Sequence, residues 1–281
     1  MDKTDPLHRM PDTRYRLFTS RLYALNSCVV ATEDLVLVVD PGYLPDEIAA
    51  IRSDVDAISS GRPLYLLLTH SDSDHIAGYG AFADATVIAS RAFVRHPDTT
   101  AEVEEVMAID DDYYIDRPYP IVYPKIDLVI DEEGQRITVG ATTIRFYGGI
   151  GHNRDGLITY IESERLLLTG DYLSDLEFPF VTASYFGYRQ TLATLARLVE
   201  EEPGLTLIPC HGAATDDPTE MVRRLRLSHE YLVLVADLVA GKAEPAAYDR
   251  FLDAHSLRFR RFLRQQHEGN LALYRSEMAT S

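Results

Sequence analysis

The chain contains the stretch Leu64-Tyr65-Leu66-Leu67-Leu68-Thr69-His70-Ser71-Asp72-Ser73-Asp74-His75, in which an apolar run leads directly into ligand-type side chains. A continuous apolar run of this length is typical of a strand that is buried on both faces. His70 and Asp72 are two positions apart, so on an extended chain their side chains point the same way. Asp74 and His75 are adjacent and begin the next turn, so they can point elsewhere. Imidazole and carboxylate groups suit Zn²⁺, Fe or Mn²⁺, and the loop therefore predicts ligands for two neighbouring metal ions.

A residue that can bind metal also follows three further predicted strands. His152 follows the strand 143–147, Asp171 follows 165–168 and His211 follows 205–208. Active sites of layered α/β proteins gather where strands end and loops begin. The chain has only nine histidines, and four of them belong to this set. The candidate metal ligands are His70, Asp72, Asp74, His75, His152, Asp171 and His211.

The remaining periodicity predicts two β sheets flanked by helices. Short apolar runs between turn-like residues are typical of strands, and apolar residues spaced by three and four are typical of helices. Strands are predicted over 16–23, 28–30, 35–39, 64–68, 86–89, 128–130, 137–139, 143–147, 157–161, 165–168 and 205–208, and helices over 45–58, 190–200, from 218 onward, 251–253 and 257–264. We expect one domain over residues 1–215, with a C-terminal helical extension over residues 216–281 packed on it.

Residues 98–133 form a strongly acidic stretch. It contains 12 acidic residues opposed only by Arg117 and Lys125, which gives it a net charge of −10, whereas the whole chain has −17. Prolines and tyrosines are frequent between residues 113 and 124. Because prolines interrupt helices and central strands, we predict an irregular insertion and interpret it as a lid. A lid of this charge over a site entrance would disfavour polyanionic substrates and favour neutral or cationic ones.

The order of the ligand-type residues resembles that of a known family. His70-Ser71-Asp72-Ser73-Asp74-His75, a later Gly-His, Asp171 and a final His-Gly are similar to the pattern of the metallo-β-lactamase fold superfamily of metallohydrolases. The likeness spans residues 26–212 and includes the early Val39-Asp40-Pro41-Gly42. It implies an α/β fold, a four-layer αββα sandwich with the metals at one edge of the two sheets.

The resemblance also implies a ligand set for two divalent metal ions, with zinc as the first choice and iron or manganese as alternatives. The first ion would take His70, Asp72 and His152, the second would take Asp74, His75 and His211, and Asp171 would bridge them. Four neutral imidazoles, three carboxylates, two divalent ions and one hydroxide have no net charge. This balance favours two ions over one.

Asp72 departs from the family pattern, which has a second histidine at this position. A carboxylate can still bind metal, and flavodiiron-type relatives place a glutamate there. The added negative charge and the harder donor favour Fe or Mn²⁺ over Zn²⁺. The alternative interpretation is that the first metal site has been lost.

The chemistry that the resemblance implies is hydrolysis by a metal-bridging hydroxide at a small ester, thioester, lactone or phosphodiester. Asp74 is expected to take the proton of the nucleophile besides binding metal. Arg154 is a candidate for binding an anionic substrate group, with a surface salt bridge as the alternative. Tyr172 is a candidate donor to an oxyanion, with packing as the alternative. Cys210, next to His211, is expected to be a buried structural residue.

Two other classes of function remain open at this stage. Asp72 motivates an iron-dependent oxidoreductase, similar to sulfur dioxygenases or to diiron proteins. A ligand-binding protein that keeps the fold and the metals without turnover is the third hypothesis. The superfamily keeps its metal site and varies its loops, so the sequence does not identify the substrate.

Charge and composition argue against several classes of partner. The chain has 281 residues, with 27 Lys and Arg against 44 Asp and Glu, which disfavours nucleic acid and anionic membranes. No apolar run approaches ~18 residues, so no membrane span is expected. Residues 1–5 lack an apolar signal core and only two cysteines are present, so the expected compartment is the cytoplasm. The basic, aromatic helix predicted over 257–264 is interpreted as covering apolar surface with arginine stems rather than as an RNA site.

Overall fold

The computed structural model of the chain describes residues 14–280. Residues 1–5, on which the expectation about an export signal rests, lie outside the described residues. The strands are β1 Tyr15–Thr19, β2 Asn26–Ala31, β3 Val36–Val39, β4 Leu64–Leu67, β5 Thr86–Ser90, β6 Leu128–Ile130, β7 Arg136–Val139, β8 Thr142–Gly149, β9 Gly156–Ile161, β10 Leu166–Leu168 and β11 Thr206–Ile208. The helices are α1 Pro45–Ser59, α2 Ser73–Ile76, α3 Arg91–Val94, α4 Thr99–Tyr113, α5 Tyr185–Glu201, α6 Pro218–Val239, α7 Ala246–Ala254 and α8 Arg260–Thr280, with a short 3-10 turn at Tyr79–Phe82.

The two sheets, the helices and the C-terminal helices that the sequence predicts are all present. Strand β1 ends at Thr19 rather than at residue 23, because a turn begins at Ser20, whose backbone N–H donates to the carbonyl of Leu25 at 2.7 Å. Within this turn Tyr23 and Ala24 have φ values of 58° and 53°, outside the region that strands use. Helix α8 begins at Arg260, so residues 257–259 of the predicted basic helix precede it. None of the helices in residues 14–280 is long and apolar enough to cross a membrane.

The described residues divide into two compact units, 14–147 with Thr159–Glu164 and Gly148–Ile158 with 165–280. The domain boundary predicted at residue 215 does not coincide with this division and stays a prediction. The strands form a six-stranded sheet of order β1-β2-β3-β4-β5-β6 and a five-stranded sheet of order β11-β10-β9-β8-β7.

The register of the first sheet explains how the loop after β4 is placed. Strands β3, β4 and β5 are parallel, and Val39 at the end of β3 pairs with Leu67 at the end of β4. The segments after β3 and β4 therefore leave the sheet at the same edge, and the backbone N–H of Asp40 donates to the carbonyl of Leu67 at 3.0 Å. This edge carries the loop that contains His70 and His75.

Strands β10 and β11 of the second unit place two candidate ligands at a sheet edge in the same way. These strands are parallel and pair Leu168 with Ile208. Asp171 and His211 each follow the paired residue by three positions, so they emerge together at one sheet edge. The side chains of β10 and β11 are buried throughout, as a strand covered on both faces requires.

The prediction of an irregular structure throughout residues 98–133 is wrong for its first half. Residues Thr99–Tyr113 form helix α4, whose N-cap Asp98 accepts hydrogen bonds from the backbone N–H groups of Thr100 and Ala101. The prolines begin only at Pro118, after Tyr114 has ended the helix with a φ of 55°. Because the helix-breaking residues lie beyond its end, they place no restriction on it.

Candidate metal centre

The loop after β4 presents two pairs of ligand-type atoms in the first unit. Nε2 of His70 lies 3.5 Å from Oδ2 of Asp72, and Nε2 of His75 lies 3.6 Å from Oδ1 of Asp74. Asp72 occupies the N-cap position of α2, whereas Asp74 and His75 lie within that helix, so each histidine faces its own carboxylate. Both imidazole rings are buried, with centroids 3.8 Å apart. The loop therefore brings two nitrogen–oxygen donor pairs side by side.

Asp40 and Thr69 fix the tautomers of these two histidines. Oδ2 of Asp40 lies 3.0 Å from Nδ1 of His75, and because an ionised carboxylate only accepts, Nδ1 carries the proton. The Thr69 hydroxyl donates to Oδ2 of Asp40 at 2.7 Å, so it can only accept from Nδ1 of His70, 3.0 Å away. In both rings the lone pair is left on Nε2, the atom that faces the neighbouring carboxylate.

Asp40 contacts a candidate ligand, and our sequence reasoning assigned its side chain no role. Its side chain is fully buried, its φ is 46°, and Oδ1 accepts the backbone N–H of Thr69 at 2.9 Å. Aspartate tolerates this left-handed conformation better than most residues. The following turn is closely packed, because a Cβ on Gly78 would lie 2.6 Å from the carbonyl oxygen of Pro41. The sequence signal is an aspartate between a buried strand and Pro-Gly, which the sequence analysis includes in the family likeness without a role for its side chain.

The second unit brings His152, Asp171 and His211 together around one carboxylate oxygen. Oδ2 of Asp171 lies 3.2 Å from Nε2 of His152 and 3.3 Å from Nε2 of His211. Both rings and the carboxylate are nearly buried, with side-chain exposures of 7, 6 and 10%. A carboxylate placed between two imidazoles is suited to the shared-ligand role that the resemblance implies for Asp171.

Backbone groups of residues 180–182 orient His152. Its Nδ1 lies 2.8 Å from the carbonyl oxygen of Phe180, which can only accept, so Nδ1 carries the proton and Nε2 the lone pair. The carbonyl of His152 accepts the backbone N–H of Thr182 at 2.8 Å. Gly151 has a φ of 129°, and a Cβ there would lie 2.2 Å from the nitrogen of Tyr188. The turn that carries His152 therefore requires glycine for close packing on α5.

Arg224 of α6 holds the loops that follow Asp171 and His211. Its side chain is only 2% exposed, and its guanidinium donates to the carbonyls of Leu173 at 3.2 Å and Ala213 at 2.7 Å. Nε donates to Glu220 at 2.7 Å. Hydrogen bonds from Arg223 and Arg224, opposed by partial burial, lower the pKa of Glu220 to about 2. This buried arginine was not singled out by the sequence, because one arginine among 24 carries no distinguishing pattern.

The two residues predicted to bind substrate occupy different environments. Tyr172 is buried, its hydroxyl donates to the carbonyl of Gly149 and accepts from the N–H of His152, both at 3.0 Å, and burial raises its pKa to about 12. These bonds favour a structural role that steadies the turn before His152. Arg154 is exposed. The substrate-binding roles of both residues stay predictions. Cys28 and Cys210 are buried and form no disulfide.

Helix α4 lies against the loop that carries Asp74. Helices α2 and α4 are in contact, and Glu105 of α4 forms a hydrogen bond with the side chain of Ser73. Burial, together with repulsion from Asp74 and Asp72, raises the pKa of Glu105. Tyr23, a residue that is 43% exposed, interacts electrostatically with both Asp74 and Glu105. The sequence placed the acidic stretch between ligands in the chain but did not identify Glu105 as their neighbour.

The donor sets of both units fit divalent metal ions. Two ligand atoms on one ion at ~2.0–2.2 Å stand roughly 3–3.5 Å apart, and the nitrogen–oxygen separations here are 3.2, 3.3, 3.5 and 3.6 Å. Three of the imidazoles have Nδ1 hydrogen-bonded to an acceptor, which is the usual arrangement of metal-binding histidines. The histidine and aspartate groupings of each unit could therefore hold metal.

Comparisons with known proteins identify relatives by sequence and by structure. The lactamase-like protein vrtG of Penicillium aethiopicum is 30% identical over 159 residues, 56% of this chain and 41% of its own length. The chain thus spans well under half of that relative. The sec-alkylsulfatase Pisa1 of a Pseudomonas species superposes with a TM-score of 0.64 at 12% identity, over 83% of this chain and 42% of its own. A metallo-beta-lactamase family protein of Thermus thermophilus superposes with a TM-score of 0.60 at 19% identity, over 96% of this chain and 92% of its own.

The likeness to these solved structures shows the fold, and the family itself is shown by sequence. The profile of the metallo-beta-lactamase superfamily matches residues 22–211, more than half of the chain. The matched region begins before β2 and ends at His211, so it contains all the candidate ligands. The α/β fold that the resemblance implied is thereby confirmed, and helices α6, α7 and α8 confirm the C-terminal helices that the periodicity predicted. The chain belongs to the metallo-beta-lactamase superfamily.

Proposed function

We propose that the protein is a metal-dependent hydrolase of a small ester, thioester, lactone or phosphodiester. The observation that carries this proposal is the preset chemistry of the donors: buried histidines with Nδ1 tied to acceptors and Nε2 turned toward carboxylates. A protein whose histidines were structural would not need this orientation at several strand ends at once. Membership of a superfamily of mostly hydrolytic enzymes supports the same conclusion.

The proposed ligand set follows the order of the family. His70, Asp72 and His152 would hold one ion, Asp74, His75 and His211 the other, with Asp171 between them. Divalent ions held in this way would lower the pKa of water, so that hydroxide is supplied near neutral pH. Asp74, whose side chain is 16% exposed, is the carboxylate of this set that we propose as acceptor of the proton of the nucleophile. Asp40 and Thr69 would keep His75 and His70 in the required tautomers.

Metal analysis and a substrate panel test the proposal together. The purified chain should contain up to two Zn, Fe or Mn ions and hydrolyse at least one member of a panel of esters, thioesters, lactones and phosphodiesters. A sulfate ester belongs in the panel, because one structural neighbour is an alkylsulfatase. His75→Ala should abolish hydrolysis, whereas His229→Ala, at an exposed histidine, should not. Less than one metal per chain without hydrolysis would contradict the proposal, and metal with no turnover would favour a ligand-binding protein.

An iron-dependent oxidoreductase is the second candidate, and Asp72 is the observation that favours it. Its carboxylate oxygen, 3.5 Å from Nε2 of His70, stands where the family has a nitrogen donor. Carboxylates are harder donors and favour iron over zinc. Purification with iron, together with oxygen consumption in the presence of a persulfide, would support this candidate. Zinc in the purified chain and no oxygen consumption would exclude it.

The proposed substrate is a small molecule, and nucleic acid is not among the proposed partners. The net charge of −17 disfavours binding to phosphate backbones. Cytoplasmic localisation is likewise part of the proposal and rests on Cys28 and Cys210, which form no disulfide and suit a reducing compartment. Fractionation of the native source would test the compartment.

A further inference from the structure

Asn270 of the C-terminal helix α8 grips the backbone on both sides of Phe180. The side chain is 2% exposed, Nδ2 donates to the carbonyl of Pro179 at 2.7 Å, and Oδ1 accepts the N–H of Val181 at 2.8 Å. A side-chain amide that satisfies one carbonyl and one N–H of the same short segment holds that segment in register.

This grip determines where the carbonyl of Phe180 points. The N–H of Val181 and the C=O of Phe180 belong to one peptide group, which is planar and trans, so the two bonds point in opposite directions. Fixing the N–H on Asn270 therefore aims the carbonyl away from α8, toward Nδ1 of His152, which donates to it at 2.8 Å. The orientation of the His152 ring is thus connected to α8 through a single rigid peptide.

The amide of Asn270 is itself fixed in one orientation. Its second Nδ2 hydrogen is directed at the hydroxyl of Tyr231, 2.9 Å away, and that hydroxyl lies 2.9 Å from Nδ1 of His267. A flipped amide would place NH₂ against the N–H of Val181, so the network allows only one assignment. Tyr231 is fully buried and stacks on Phe178 with ring centroids 4.0 Å apart.

We propose that Asn270 is a positioning residue for His152, acting through the peptide that joins Phe180 and Val181. The inference rests on the proposed function in so far as His152 is a metal ligand. It gives the C-terminal helical extension a role in the metal centre, which neither the family match, ending at residue 211, nor the sequence pattern assigns to it.

The variant Asn270→Leu in the full chain tests this role, with His267→Leu as the matched control. Both positions are buried on α8 and both side chains contact the hydroxyl of Tyr231, but only Asn270 contacts Pro179 and Val181. Each variant should lose stability. Only Asn270→Leu should weaken binding of Zn²⁺ or Mn²⁺ in competition with a chelator, by about tenfold, the lower end of what outer ligand contacts contribute. Tyr231→Phe removes the hydrogen bond between Tyr231 and Asn270 and should show a smaller loss of metal affinity. This variant replaces Asn270→Leu in the test if Asn270→Leu does not fold.

A second readout does not depend on metal. In the metal-free chain the Nδ1 proton of His152 should give a protected NMR signal, assigned by its absence in His152→Gln. The signal should persist in His267→Leu and exchange rapidly with water in Asn270→Leu. An unchanged signal in Asn270→Leu would overturn the inference, whatever the metal affinity of the chain. A wild-type chain that keeps the signal but binds no metal would instead contradict the proposed function.

Discussion

Oδ2 of Asp40 lies 3.0 Å from Nδ1 of His75, and neither side chain is exposed to solvent. The carboxylate is further held by the N–H and the hydroxyl of Thr69, at 2.9 and 2.7 Å. A buried carboxylate is tolerated only when its oxygens are hydrogen-bonded, and here the bonds also determine which nitrogen of His75 is free. Asp40 therefore both stabilises the sheet edge and determines the tautomer of His75.

The variant Asp40→Asn should weaken metal binding about 10–100-fold, because the neutral amide no longer raises the basicity of His75. It should also lower the free energy of unfolding by about 1–3 kcal/mol. Asp34→Asn is the matched control: this carboxylate of the same unit accepts the N–H groups of Ala141 and Thr142, at 2.9 and 3.0 Å. The control should lose stability but keep its metal affinity in a chelator competition. Equal metal affinity in both variants would contradict the role of Asp40.

The substitution Asp72→His, which restores the usual family residue, should shift metal preference toward zinc. The imidazole is a softer donor than the carboxylate it replaces, so the ratio of Zn²⁺ to Mn²⁺ affinity should rise by at least about tenfold. Asp111→His, at an exposed position of α4, adds a histidine elsewhere and should leave the ratio unchanged. Competitive metal titration measures both. The same ratio in Asp72→His and wild type would show that Asp72 does not bind metal.

The sheet edges were predictable because they depend on local signals that add together. The apolar run 64–68 predicts a buried strand, and a parallel partner must end at the same edge, so His70 and His75 could be expected there. The register that pairs Leu168 with Ile208 likewise places Asp171 beside His211. Ligand type and strand end could both be read along the chain, and together they indicated the candidate residues.

The residues that hold the ligands could not be found in this way. Asp40, Arg224 and Asn270 act through contacts to segments between 11 and 91 positions distant, such as the bond from Asn270 to the carbonyl of Pro179. A buried asparagine or arginine has no sequence period of its own. Helix α4 was missed for a different reason: the prolines were counted over the whole acidic stretch, although all of them follow the helix end at Tyr113.

Neutralising exposed carboxylates of α4 should raise activity toward anionic substrates if the helix borders the site. Asp111 and Asp112 are exposed, whereas Asp110 forms a bidentate ion pair with Arg117 at 2.6 and 2.8 Å and should be left intact. We expect the variant Asp111→Asn with Asp112→Asn to raise kcat/KM for an anionic ester a few-fold and to leave a neutral ester unchanged. The difference should shrink at high salt.

The control for this charge effect removes two carboxylates at exposed positions outside α4, with Glu200→Gln and Glu268→Gln. It changes the net charge of the chain by the same amount. Equal gains in both double variants would point to overall charge, and no gain in either would remove the interpretation of α4 as an electrostatic barrier.

The variant Arg224→Met should destabilise the protein by about 3 kcal/mol. It leaves the carbonyls of Leu173 and Ala213 without their donor and removes one partner of Glu220. Arg223→Met is the matched control, because Arg223 binds the same Glu220 but is 34% exposed. Urea unfolding should show a loss below about 1 kcal/mol for the control. Similar losses for the two variants would indicate that Arg224 stabilises the protein through its ion pair with Glu220 and not through its hydrogen bonds to the two loops.

His267 should make stability depend on pH in a predictable window. Burial, reinforced by the positive charge of Arg264, lowers the pKa of His267 to about 4, below its ordinary value of 6.5. Between these two pH values the unfolded chain therefore binds a proton at His267 that the folded chain does not bind. The contribution of the neutral ring is complete above pH 6.5 and is lost as the pH falls from 6.5 toward 4. Between pH 7.5 and 4.5 this single group should reduce the free energy of unfolding by about 2–3 kcal/mol. Urea unfolding of wild type and His267→Leu at both pH values isolates the effect, since other groups titrate in both proteins. The variant should lose less stability on acidification by that amount, and parallel losses would show that His267 is protonated equally in the two states.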